Sequence, residues 1–133
     1  VICDLYLKRG QHAGAAEHIT RGFELLKPDR NWYGLRAPMF LAKGMLTTAT
    51  RSWDEAETSF ETAIAINRQY RLPYDEAKAL YEWGLMCLTR GQAGDRENAE
   101  KKLNSSLEIF QRVGARKDVK KILARKEVQQ GEP

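Results

Sequence analysis

Read as a string of apolar and polar positions, the chain repeats with the period of a helix. After Ser52, the residues Ala56, Phe60, Ala63, Ile64 and Asn67 recur at steps of four, three, one and three, the stripe of an amphipathic helix. A second stripe runs through Tyr74, Ala77, Leu80, Tyr81, Gly84, Leu85 and Leu88, and a third through Ala99, Leu103, Leu107, Phe110 and Val113. Val119, Ile122, Leu123 and Val128 form a shorter fourth. No stretch alternates apolar and polar residues between turn signals, so no strand is expected.

The stripes are separated by residues that start and stop helices. Ser52 and Glu55 have the spacing of a capping box, Pro73 suits a first helical turn, and Arg90-Gly91 stops the helix that Pro73 opens. Asp95 and Asp118 are candidate caps for the next two helices, and Gly114 suits a left-handed helix end between them. Pro38 lies inside the apolar stretch from Trp32 to Ala49, where it removes a backbone donor. Either a helix starts near Ala37, or it starts earlier and is kinked. The earlier start gives Trp32, Leu35 and Met39 a surface to cover and is preferred.

The spacing is itself repeated. Gly44 is followed after twelve residues by Ala56, then by Phe60 and Ala63. Forty residues past Gly44 stands Gly84, followed by Ala99, Leu103 and Ser106, the turn having grown by three residues through Gly91-Gln92-Ala93-Gly94-Asp95. Ala16 lies forty residues before Ala56, with Thr20, Phe23 and Pro28 at matching later positions. The expected organisation is one domain over 1–130, with a partial repeat (1–30), two full repeats (31–70 and 72–114) and a capping helix (116–130), followed by a tail (131–133).

These residues resemble the tetratricopeptide repeat, whose pattern sets a small residue in a first helix and Ala, an aromatic and Ala in a second. Gly44, Ala56, Phe60 and Ala63 match it; the third copy puts Leu103 and Ser106 where Phe and Ala belong, and the first keeps mainly Ala16 and Pro28. The spacing of forty rather than 34, and the segment from Leu107 to Asp118, are similar to the long-repeat tails of bacterial signal-transduction ATPases, nucleotide cyclases and large transcriptional activators. The resemblance implies an all-α fold of antiparallel helix pairs stacked as a right-handed solenoid with a C-terminal capping helix. Gly44 and Ala56 would then be small where paired helices cross, and Phe60 would fill the gap to the next pair. Each pair leaves an apolar face that only its neighbour covers.

Composition narrows the class. With 42% apolar and 30% charged residues the chain reads as a globular domain, and no segment approaches the roughly 20 apolar residues that cross a bilayer. Cys3 and Cys87 form no metal-ligand spacing and no disulfide framework. Without an initiator Met or a signal-peptide core at its start, the sequence is expected to be a piece of a longer cytoplasmic protein. It contains no phosphate loop, HExxH or GxSxG, so no enzyme and no cofactor is expected. The acidic pairs Asp54-Glu55 and Asp75-Glu76 suit first helical turns, where negative charge favours the helix dipole.

The resemblance implies that the first helix of each pair lines a concave side that contacts a protein or peptide. Carried over by spacing from Gly44 and Gly84, the candidates are Leu41, Met45 and Thr48, then Lys78, Tyr81, Leu85 and Leu88, with Lys8 and Arg9 from the partial copy. That mixed apolar and basic surface suits an amphipathic helix or extended peptide carrying acidic residues. Ordinary core also has such spacing, and both readings stand. Trp53 and Trp83 read as packing, Trp32 as packing or interface, Cys87 as a small buried hydrophobe, and His12 and His18 as surface residues. A homo-oligomer through an open repeat end near Val1, Leu5 and Phe23 is a variant.

The charge of +4 comes with a basic run, Arg112, Arg116, Lys117, Lys120, Lys121, Arg125 and Lys126, opposed by Asp118, Glu127 and Glu132. Such a run can neutralise phosphates, but no aromatic lies beyond Phe110 to stack on bases, so a solvated end face is expected and nucleic acid is the alternative partner.

Overall fold

The computed structural model describes residues 12–25 and 36–131, with side chains over 14–23 and 36–126. All regular structure among them is helical: α1 (His12–Leu25), α2 (Arg36–Ala49), α3 (Trp53–Gln69), α4 (Pro73–Arg90), α5 (Asp95–Val113) and α6 (Arg116–Gly131). Pro38 falls in the first turn of α2 as described, where a missing N–H costs nothing. Trp32 and Leu35, which an earlier start was to bury, lie outside the described residues, as do Lys8, Arg9, Val1, Leu5 and Cys3.

Each helix packs on the next, and α2 also packs directly on α4. Arg90 at the end of α4 reaches Glu57 near the start of α3, while Arg68 at the end of α3 pairs with Glu76 at the start of α4. The two helices therefore run antiparallel. The same holds for α4 and α5, because Tyr74 at one end packs edge-on against Phe110 and Arg90 at the other pairs with Asp95. Helix α6 runs alongside α4 in the same direction, since Tyr74 donates to Asp118 and Lys121 sits over the Tyr81 ring.

Helix ends explain where the chain turns. Arg51 donates to the Thr48 carbonyl and Ser52 to that of Thr47; Arg71 donates to Arg68 and Leu72 to Asn67; Gly114 donates to Gln111 and Ala115 to Phe110. All three are Schellman endings with the pivotal residue left-handed, at φ 61° for Arg51, 54° for Arg71 and 76° for Gly114. Helix α4 stops at left-handed Gly91, as its Arg90-Gly91 signal predicts.

The expected N-caps are corrected. Ser52 stands at the N-cap of α3 but its side chain makes no capping bond, and its own amide, tied back to Thr47, is closed to the Glu55 carboxylate. Gly94, not Asp95, stands at the cap of α5, with Asp95 inside the helix as an ion-pair partner. Helix α6 begins at Arg116, so Asp118 lies within its first turn and accepts the Tyr74 hydroxyl instead.

The core lies between the pairs. Ala63 and Ile64 of α3, Leu80 and Tyr81 of α4, Leu103 and Phe110 of α5 and Ile122 of α6 form one cluster. Ala56 and Phe60 join Met86, Cys87 and Ala99 in another, and Ile19 meets Ala42 where α1 rests on α2. A Cβ added at Gly44 would lie 2.6 Å from the Phe60 ring, and one at Gly84 3.1 Å from Leu103. The two glycines thus occupy equivalent close crossings, forty residues apart.

Candidate functional site

Helices α2 and α4 bring most of the candidate binding residues together, and the structure sorts them by burial. Leu41 is half-buried and touches both main clusters; Met45 and Leu88 border the cluster around Phe60, and Leu85 the one around Leu80. These four side chains divide their surface between core and solvent. Thr48 spends its hydroxyl locally, donating to the Gly44 carbonyl at 2.7 Å. Lys78 is half-buried, with its ammonium 5.9 Å from the centre of the Tyr74 ring.

Tyr81 does not belong to an open surface. It is 5% exposed, inside the cluster that Ile122 of α6 completes, with Lys121 held 4.6 Å above its ring. Spacing from Gly84 assigns Tyr81 to the inner side of α4, but α6 packs over that position and buries it.

An ionic clamp that the sequence reading missed closes the longer turn between α4 and α5. Arg90 grips Asp95 with two hydrogen bonds, Nε to Oδ2 at 2.9 Å and Nη2 to Oδ1 at 2.7 Å, and its Nη2 lies 3.4 Å from Glu57 Oε1. The Gln92 amide also donates to Asp95, at 2.8 Å. Asp95 is only 3% exposed, and the guanidinium hydrogen bonds hold its carboxyl below the usual carboxylate range despite that burial. The signal available in the sequence was an Arg five residues before an Asp across a Gly-rich turn. A cap and a helix stop explain the same residues, which is why the pairing stayed hidden.

The remaining candidates take structural places. Cys87 is free and buried, and burial pushes its thiol up, the opposite of what a nucleophile needs. Trp83 stacks on Phe60 at 6.5 Å between centroids, with the Lys102 ammonium 4.3 Å above its ring. Trp53 packs beside Phe60, and His18 is half-buried on α1. Trp32 and the His12 side chain lie outside the described residues. Among the described residues no three His, Cys, Asp or Glu are grouped to hold a metal ion, and no helix is long and apolar enough to cross a membrane.

These placements define an all-helical bundle of closely crossing neighbours, with half-buried apolar residues along α2 and α4. No family model matches the chain, and neither does any curated protein or solved structure.

Proposed function

We propose that the chain is a module of tetratricopeptide-like repeats, stacked as a right-handed solenoid, that binds a protein or peptide and catalyses nothing itself. In this reading it is a regulatory or scaffolding part of a larger cytoplasmic signalling protein. One observation carries the proposal: the first helices of the two full copies, α2 and α4, pack side by side and carry half-buried apolar residues at corresponding positions, Met45 matching Leu85. A side chain that is half in the core is already ordered, so covering its outer half with a partner costs little conformational entropy. Lys78, about two turns before Leu85 on α4, supplies a positive charge for an acidic residue of the partner. Tyr81 drops out of the contact set, and Leu41, Met45, Thr48, Lys78, Leu85 and Leu88 remain in it.

Calorimetric titration with acidic amphipathic peptides, selected by display against the domain, tests this. Lys78→Glu combined with Leu88→Ser should weaken binding about tenfold, a cost of about 1.4 kcal/mol, with little change in melting temperature. A variant that melts early and loses binding in parallel would assign these residues to the core.

A further inference from the structure

The fold gathers at one end of the molecule two turns that are far apart in sequence. Tyr74, just after the α3–α4 turn, packs edge-on against Phe110 at 5.5 Å and donates to Asp118 at 3.1 Å, which fixes the α5–α6 turn beside it. Tyr70 and Tyr74 show 36% and 43% of their surface there, and the side chains of Arg71, Arg112, Arg116 and Lys117, in or next to the same two turns, are exposed. Of the acidic groups of this end, Glu76 pairs with Arg68, Asp118 accepts the Tyr74 hydroxyl and Asp75 is half-buried, while Glu108, one turn before Arg112, is exposed, so the cations outnumber the open carboxylate.

Arg71 adds an independent observation. It sits at φ 54°, in the left-handed region that Gly91, Gly94 and Gly114 occupy without strain. Glycine would end α3 more comfortably, so Arg71→Gly removes the cation without adding backbone strain. Arg51 has the same geometry at the opposite end, but among the exposed carboxylates of Asp54 and Glu55.

We propose that the end formed by the α3–α4 and α5–α6 turns is a binding site for single-stranded nucleic acid. Arg71, Arg112, Arg116 and Lys117 contact phosphates, and the exposed parts of Tyr70 and Tyr74 offer surface for bases to stack on. The basic run lacks aromatics of its own; the topology supplies them from a segment some forty residues earlier. The site adjoins the α2–α4 surface at Lys78, whose ammonium lies over the Tyr74 ring, and the Arg71 and Tyr70 variants below leave Lys78 in place, so each site is tested without the other.

The experiment is fluorescence anisotropy with a fluorescein-labelled oligouridylate of about ten nucleotides. Binding should appear at low salt and weaken with a logarithmic slope near −2, about three phosphates for a single strand. Arg71→Gly should weaken it several-fold while the melting temperature holds or rises, because the backbone strain is relieved. Arg51→Gly, with the same loss of charge and the same relief, should leave binding unchanged. Tyr70→Leu should weaken binding about tenfold through lost stacking. Absence of binding at low salt overturns the proposal, as does equal weakening by Arg51→Gly and Arg71→Gly. So does displacement of the probe by polyglutamate as readily as by unlabelled oligouridylate, which would make the end a dock for acidic polypeptide.

Discussion

The pairs α2–α3 and α4–α5 make the same close crossing with different fillings. Across the first, the rigid Phe60 ring lies over Gly44 and is backed by Trp83; across the second, the branched and more yielding Leu103 lies over Gly84. Further along, Ala63 of the first pair corresponds to Ser106, whose buried hydroxyl donates to the Ala77 carbonyl at 2.7 Å. Asn67 of the first pair corresponds to Phe110 of the second. Asn67 is 2% exposed with its side-chain oxygen unpartnered, whereas Phe110 fills its place against Tyr74. One backbone arrangement accepts an aromatic or an aliphatic filler, and even a hydroxyl, provided the volume is filled. The first pair keeps the tighter crossing and the second the better satisfied core.

The largest expected effect is at the turn that only the second pair has. Asp95→Asn removes one charge of a buried pair and should cost about 3 kcal/mol in chemical denaturation. The Asp95 carboxyl titrates lower in the folded chain, so its stabilisation is complete above the unfolded value of about 3.9. That stabilisation is lost as pH falls through the folded value, and the gap in melting temperature between wild type and variant should therefore close in acid, below about pH 4. A gap that stays constant down to acid would mean that the pairing is not what holds the turn.

Gly44→Ala and Gly84→Ala set the crossings against each other directly. At Gly44 the added methyl meets three ring carbons at 2.6 to 2.8 Å, in a ring that Trp83 keeps from retreating. A loss of about 2–3 kcal/mol is expected from overpacking. At Gly84 the nearest atoms are Leu103 carbons at 3.1 and 3.2 Å, which yield by a few tenths of an ångström. The gain of about 1 kcal/mol in helix propensity offsets that shift, so this variant should melt near wild type. Equal losses at both sites would erase the distinction drawn here.

Two smaller changes exchange the fillings. Asn67→Leu should raise stability by about 1–2 kcal/mol, since it removes an unpaired buried acceptor and adds apolar contact; thermal melts that fall instead would show that the oxygen is satisfied. Ser106→Ala should cost about 1 kcal/mol for the lost hydrogen bond. Its melting temperature would be unchanged only if the Ala77 carbonyl gains nothing from the hydroxyl.

Much of this comparison was legible in the sequence. The apolar stripes located the stretches that became α3, α4 and α5, and the Gly44 and Gly84 spacing located both crossings. The caps were misread for a physical reason. Ser52 and Asp95 are strong local signals, but the Ser52 amide is committed to the end of α2 and so closed to Glu55, and the Asp95 carboxylate is taken up by Arg90 and the Gln92 amide. Tyr81 was misplaced because helical spacing gives the direction of a side chain, while its burial depends on α6, a helix some forty residues later. The pairing of Tyr74 with Asp118 was invisible for the same reason.

The sequence alone determined that the chain is helical, where most of its helices stop and which positions must stay small. Those properties follow from period, turn chemistry and volume, which act over a few residues. Tertiary structure alone decided that Arg90 grips Asp95, that Tyr81 is covered, and that two tyrosines join a basic run some forty residues away. These depend on which helices become neighbours, and burial and charge pairing are properties of neighbours in space, not of adjacent positions along the chain.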